Sequence, residues 1–274
     1  KRQYSEDKSV RMATLHAVGD PQGRIGTGVQ TRLAGKLSGY NPVTGVSVTG
    51  GTDITLTLDS RLCATAYEAL NGAKGTVGVY NYKTGEILCM VSTPTYDPQN
   101  PPEISDDDPA YEGVYLNRFL SASVVPGSIF KTVTTAAAIQ NMDDLMDRTF
   151  HCDGEVIIGG AKITCPKASF DFDGKDKGSL AWAGIGQDED LLNPCAMMTF
   201  MGAAANGGKA ALPQLVLDGG GLLDALGNKQ TGELIDGDTA AALSSMMRDN
   251  VLNNYGEGKL EGLGLCAKSG TAQV

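Results

Sequence analysis

Two short stretches far apart in the chain carry residue types that can do acyl-transfer chemistry. The first is Pro126-Gly127-Ser128-Ile129-Phe130-Lys131, running on through Thr132 to Ile139 without Gly or Pro. Pro126-Gly127 breaks whatever precedes it, and the segment after it predicts a buried helix. On a helix Ser128 and Lys131 share one face, a turn apart. A hydroxyl nucleophile then has an amine beside it to take its proton. Such a lysine works as a base only when burial or a second cation favours its neutral form. Ile129, Phe130 and Val133 are apolar neighbours that can supply the burial.

The second stretch is Leu265-Cys266-Ala267-Lys268-Ser269-Gly270-Thr271-Ala272. It predicts a short apolar strand that ends in a cationic, hydroxyl-bearing edge. Lys268 offers a cation to a carboxylate, Ser269 or Thr271 a hydroxyl, and Gly270 room for a substrate backbone to approach and pair. Each stretch has a decoy. Ser5-Glu6-Asp7-Lys8 repeats the Ser-x-x-Lys spacing in a polar segment with no helix expected behind it. Lys83-Thr84-Gly85 lies between two strand patterns and reads as a hairpin turn.

Pro126-Gly127-Ser128-x-x-Lys131 with Lys268-Ser269-Gly270-Thr271 resembles the transpeptidase domain of the penicillin-binding proteins, which share a Ser-x-x-Lys and Lys-Thr-Gly set with class A β-lactamases. Asn117-Arg118 resembles the family's approach to its nucleophile. Gly184-Ile185-Gly186-Gln187, Asn193-Pro194 and Ala205-Asn206-Gly207-Gly208 resemble its later helical part, so the likeness covers most of residues 50–274. Residues 1–50 resemble, less sharply, the end of the non-catalytic pedestal module of the class B (monofunctional) members.

The resemblance implies an enzyme that cross-links peptidoglycan stem peptides ending in D-Ala-D-Ala. Ser128 would be the nucleophile and Lys131 its base, with the backbone N–H groups of Ser128 and Thr271 as the oxyanion hole. Lys268 would help to keep Lys131 neutral, and Ser269, Gly270 and Thr271 would meet the substrate. β-Lactams would acylate Ser128, and neither a metal nor another cofactor is implied. It also implies a membrane anchor ahead of this chain, an extracytoplasmic position at the bacterial cell membrane, and a membrane glycan polymerase as partner. The rivals are a serine β-lactamase, a β-lactam-sensing receptor domain and an inactive scaffold. The 1–50 segment and a long loop favour the transpeptidase over the first two.

Composition narrows the field independently. The chain has 274 residues, 41% hydrophobic and 20% charged, in the range of an ordinary globular protein. Its net charge of −10 argues against nucleic acid as a partner. His16 and His151 leave little room for a histidine triad or a histidine-rich metal site, and His16 reads as a packed or hydrogen-bonded residue. Of six cysteines, Cys63, Cys89, Cys195 and Cys266 fall in apolar patterns and read as core, while Cys152 and Cys165 flank a hairpin-like segment and can be bridged outside the cell. No run approaches 18 apolar residues, so neither a signal peptide nor a membrane span is expected within these residues.

The expected fold is α+β, a mainly antiparallel sheet flanked by helices, with residues 51–274 as the transpeptidase domain and 1–50 as loops of the pedestal remnant. Gly23-Arg24-Ile25-Gly26-Thr27-Gly28 has no βαβ unit around it and is read as loop. Ile54, Leu56 and Leu58 alternate as a strand, and Asp59 caps a helix ended by Asn71-Gly72. Val77–Tyr82 and Ile87–Val91 form a hairpin around Lys83-Thr84-Gly85. A long loop then runs to Gly113, in which Asp106-Asp107-Asp108 reads as a solvated charge run. Asn193-Pro194 opens a helix carrying Met197, Met198, Phe200 and Met201, Gly219-Gly220-Gly221 reads as a turn, and Asp238 caps a last helix with Leu243, Met246, Met247 and Val251 inward.

The chain departs from the family pattern in one place that bears on chemistry. It contains no Ser-x-Asn, the family's third motif, whose usual position is after Cys165. There Ala168 runs directly into Ser169 as if two pieces were joined, and the chain ends just past the Lys268 segment, where a strand would have an unpaired edge. The expectation is that the full protein carries further residues at both places.

Overall fold

The computed structural model describes residues 3–41, 45–47, 50–147, 155–158, 161–164, 182–187, 191–217 and 229–272. They fall into two compact units, one of residues 1–122, 193–199 and 211–229, the other of residues 123–192, 200–210 and 230–274.

The first unit is built on a hairpin covered by two helices. Helix α1 (Lys8–Val18) starts where Asp7 Oδ1 accepts the Ser9 N–H at 2.8 Å. Short helices α2 (Val29–Arg32) and α3 (Ala34–Ser38) lead to a small ribbon of β1 (Tyr40–Asn41) and β2 (Val46–Ser47). Helix α4 (Ser60–Leu70) is capped by Asp59 and stopped by Asn71 in the left-handed region at φ 44°, as its sequence predicts. Strands β3 (Gly75–Tyr80) and β4 (Ile87–Thr93) pair antiparallel, from Gly75 opposite Thr93 to Tyr80 opposite Ile87. Ala13 of α1, Cys63 and Ala66 of α4, and Cys89 and Val91 of β4 close one core cluster. Ala17, Ile87, Met90 and Phe119 form a second, with Cys195, Met198 and Leu215 packed against it. Phe119 belongs to α5 (Arg118–Ser121), and its ring occupies the space that a Cβ on Gly78 would need. Full burial of an aromatic ring of this size contributes about 3 kcal/mol.

The second unit packs α6 (Lys131–Asn141), the latter part of α7 (Pro194–Ala205) and α8 (Gly237–Asn250) around Ala136, Ala204, Ile235, Ala240, Leu243 and Met247. Helix α7 opens where Asn193 Oδ1 accepts the Cys195 N–H at 3.0 Å, so the Asn-Pro signal is a working cap. Strands β5 (Glu155–Ile158) and β6 (Ala161–Thr164) pair antiparallel. Among the described residues all three strand pairs are antiparallel and the helices pack beside them, which is an α+β arrangement.

Six expectations change. No helix was expected behind Ser5–Lys8 in the weakly periodic first 50 residues, yet Lys8 itself opens α1, a regular helix with Ala13, Leu15, His16 and Ala17 buried, because its small and apolar residues recur at helical spacing. The Ile54–Leu58 pattern forms no named strand; Leu56 bridges Val216 and Thr57 N–H bonds Leu215 O, a pairing with a segment far along the chain. The cap of α8 is Asp236, not Asp238, since Asp236 Oδ1 takes the Thr239 N–H at 2.8 Å. Met246 is not inward but 39% exposed, and Cys266 is exposed as well. The Lys268 segment forms no named strand among the described residues. Cys152, Cys165, the Ala168–Ser169 junction and Gly219-Gly220-Gly221 lie outside the described residues.

The expectation for His16 holds. His16 is buried, with its Nε2 2.8 Å from Val114 O, and burial pulls its pKa down to about 4. Asp108 caps a 3-10 turn at Pro109–Tyr111, and among the described residues no acidic, cysteine or histidine cluster could hold a metal. No helix among them is long and apolar enough to cross a membrane.

Candidate active site

The Ser128 turn is built by glycines. Pro126 sits in the right-handed helical region at φ −72°, and Gly127 comes next at φ +57°, a value at which any side chain is strained. Gly127–Ile129 then form a 3-10 turn, and α6 begins at Lys131. Ser128 therefore stands in the tight turn ahead of the α-helix, not in its first α-turn as the sequence predicts, while Lys131 is the first α-helical residue. Both side chains are half-buried. The turn is fixed from behind, where Gly127 N–H donates to Gly186 O at 2.6 Å and Thr134 Oγ1 donates to Gly184 O at 2.9 Å. Gly186, at φ +80°, lies so close that a Cβ there would strike Gly127 O and Phe130.

The Lys268–Thr271 edge is pressed onto that turn. A Cβ on Gly127 would come within 2.5 Å of Thr271 O, and a Cβ on Gly270 within 2.9 Å of both Pro126 O and Ile129 Cγ2. Gln187 Nε2 donates to Thr271 O at 3.0 Å and holds the contact. The space beside Gly270 expected to admit substrate is thus filled, on the side where a Cβ would project, by the protein's own Ser128 turn. The glycine serves assembly of the site.

The other wall is α8 with the turn at its C-terminal end. Met247 O accepts the Ala267 N–H at 3.2 Å, Asn250 Nδ2 donates to Ala267 O at 3.0 Å, and Arg248 Nη1 donates to Leu265 O at 3.2 Å. These bonds tie the segment to α8 where a strand ladder was expected. After α8 the chain makes one π-turn, Val251–Tyr255, which places the Tyr255 hydroxyl 3.0 Å from Ser269 N and 2.7 Å from Ser269 Oγ. Lys268 Nζ donates to Ser269 O at 2.7 Å. Lys131 and Lys268 both line one cavity of about 290 Å³, whose remaining walls are Thr132, Thr135, Leu243, Met246, Met247 and Asn250. Two lysine side chains thus meet at one largely apolar cavity, the kind of setting in which a small ligand is held by a few polar groups.

The transpeptidase domain model of the penicillin-binding proteins matches residues 75–156 and 160–274. The chain belongs to that family. Among characterised members, a probable peptidoglycan D,D-transpeptidase, PenA, of Neisseria gonorrhoeae is 37% identical over 106 residues, covering 36% of this chain and 17% of PenA. The peptidoglycan D,D-transpeptidase PbpA of Mycolicibacterium smegmatis is 34% identical over 125 residues, covering 40% of this chain and 24% of PbpA. The aligned parts are thus a quarter or less of these relatives. Penicillin-binding protein A of M. tuberculosis, solved as a ceftriaxone acyl-enzyme, superposes with a TM-score of 0.76 at 20% identity, over 96% of this chain and 79% of that one. The D,D-transpeptidase domain of an Eggerthella lenta peptidoglycan glycosyltransferase gives 0.73 at 21% identity, over 100% and 81%. The fold is therefore that of a penicillin-binding protein transpeptidase domain.

In this member of the family Ser128, Lys131, Lys268, Ser269, Gly270 and Thr271 converge in one unit, as their spacing alone could not establish. Sequence reasoning noted Gln187 only as part of a family-like stretch and overlooked Asn250 and Tyr255. An amide or phenol in a helical segment carries no local signature. Gly186 beside Gln187, a glycine in mid-segment, was the available hint of a close approach.

Proposed function

We propose that the chain is the catalytic part of a peptidoglycan D,D-transpeptidase of the class B type, acylated and inhibited by β-lactams. The packing of Gly127 and Gly270, which seats the Ser128 turn against the Lys268–Thr271 edge, carries this reading. The names of the relatives and the acyl-enzyme form of a structural neighbour support it. In the reaction Ser128 Oγ attacks the carbonyl carbon of the penultimate D-alanine, and its proton passes to Lys131 Nζ. The carbon–nitrogen bond breaks, the leaving nitrogen takes up a proton, and free D-alanine departs with the ester left on Ser128. An amine of a neighbouring stem peptide then attacks the ester, loses a proton and restores the hydroxyl as the cross-link forms. The Ser128 and Thr271 N–H groups serve the developing oxyanion, and Lys268, Ser269 and Thr271 serve the substrate carboxylate. Carboxypeptidase action results when water replaces the amine.

The same reading makes residues 1–50 the remnant of a pedestal module and 51–274 the catalytic domain. A membrane anchor preceding the chain, the extracytoplasmic face of the bacterial membrane and a glycan polymerase partner go with it. Intact mass after incubation with benzylpenicillin, beside Ser128→Ala, tests it. A lasting adduct lost in the variant is the expected result. An adduct that clears within seconds would make the chain a β-lactamase, and no adduct would overturn the site.

A further inference from the structure

We propose that Tyr255 is a positioning residue that aims the Ser269 hydroxyl at the substrate carboxylate, and that its own proton acts as the switch. The inference rests on the site reading above. Tyr255 is the last residue of the π-turn after α8, 45% exposed, with its ring carried to the Lys268–Thr271 edge. Its oxygen accepts the Ser269 backbone N–H at 3.0 Å and lies 2.7 Å from Ser269 Oγ. While it carries its proton the phenol can donate to Ser269 Oγ, the one arrangement of this hydroxyl pair that leaves the Ser269 proton unused by the tyrosine. The Ser269 proton is then left to point away from the tyrosine, for a ligand carboxylate to accept.

A phenolate reverses this polarity. It has no proton to give and accepts strongly, so it takes both the N–H and the O–H of Ser269 and turns the hydroxyl away from the ligand. Two hydrogen bonds from Ser269, a third from Asn250 and the charge of Lys268 all favour the phenolate and bring the tyrosine down to about pKa 8. Lys268 is the charge acting on it from the same edge. Arg248, at the end of α8, is engaged by Glu257 at 2.5 Å, just past Tyr255. The deprotonation therefore falls within reach of ordinary assay conditions. No other residue is needed: the proton goes to solvent and Ser269 reorients.

The test compares wild type with Tyr255→Phe for the rate of Ser128 acylation by a fluorescent penicillin between about pH 6 and about pH 10. Loss of one neutral hydrogen bond predicts wild type faster by roughly fivefold at the acid end. The ratio should fall to roughly one at the alkaline end, with a midpoint near the tyrosine's pKa of about 8. In a Ser269→Ala background the Tyr255→Phe effect should be small and constant with pH, since only the bond from the residue-269 backbone N–H is then lost. A difference absorbance titration of wild type against Tyr255→Phe should show one tyrosinate forming near the same pH. A ratio that stays constant with pH, or an equal effect in the Ser269→Ala background, overturns the inference and leaves Ser128 acylation standing. Absence of any Ser128 adduct overturns the site reading, and this inference with it.

Discussion

The chain contains two Lys-(Ser/Thr)-Gly edges, and they do opposite things. At Lys83-Thr84-Gly85 the Thr84 hydroxyl and the Lys83 N–H are consumed close by, and among the described residues only the Thr84 and Gly85 carbonyls reach a distant partner, Gln214. Asn81 Oδ1 accepts the Lys83 N–H at 3.0 Å, Thr84 Oγ1 donates to Glu86 Oε2 at 2.7 Å, and Gly85 at φ +84° closes the hairpin. At Lys268-Ser269-Gly270-Thr271 the partners come from Pro126, Ile129, Gln187, Met247, Asn250 and Tyr255, all distant in sequence or across a helix end. A local turn uses its residues up, whereas a segment held from outside keeps a cation and hydroxyls available to a ligand. The tripeptide is common to both, and the surroundings decide.

Substitutions can break this contrast. Ser128→Ala should abolish penicillin labelling, a loss on the order of 1,000-fold or more, measured by gel fluorescence. Gly127→Ala adds a methyl group at φ +57° and 2.5 Å from Thr271 O, and should slow acylation about 100-fold through displacement of the Ser128 turn. Its hairpin counterpart, Gly85→Ala, should cost about 2 kcal/mol of stability in urea melts and leave the acylation rate per folded molecule unchanged. Lys268→Met should weaken acylation by roughly 10- to 100-fold, and Lys83→Met should do nothing to it. Equal effects at both edges would erase the distinction.

The smallest effect concerns the first unit. Arg11 binds Asp97 in two bonds of 2.8 and 2.7 Å, with both side chains largely covered, and holds the carboxyl down to about pKa 2. A folded-state pKa below the unfolded value supplies stability above the ordinary carboxylate range, which is lost as pH falls through about 4 to about 2. His16, buried and down at about 4, acts in the same direction at milder acidity, because the unfolded chain binds a proton first below about 6.5. Melting temperature should therefore decline in two acid steps. Asp97→Asn should remove the lower one, as a pH series of thermal melts would show.

Much of this was legible in residue order. Asp59 and Asn71-Gly72 marked both ends of α4, the hairpin and its turn were readable from alternation, and Asn193-Pro194 opened α7, since caps and turns are local chemistry. The features that escaped reading depend on distant partners. Leu56 needs Val216, and the 265–272 segment runs beside α8 and not along a strand. Asp236 and Asp238 are equally good caps on paper, and only the backbone path selects the first. The Ser128 and Lys268 stretches were recognisable singly. That Gly127 and Gly270 exist to let them touch was not, because a glycine's neighbour across space leaves no trace in its own segment.

The seating of Gly127 under Thr271 has a bearing on how the protein is made. The Ser128 turn leaves the ribosome long before Thr271 does, and its side of the site has no opposite wall until then. Long-range closure of this kind comes late in folding. A penicillin probe should therefore stay blind to nascent chains and to partly folded ones, so that labelling doubles as a clock for completion of the whole second unit.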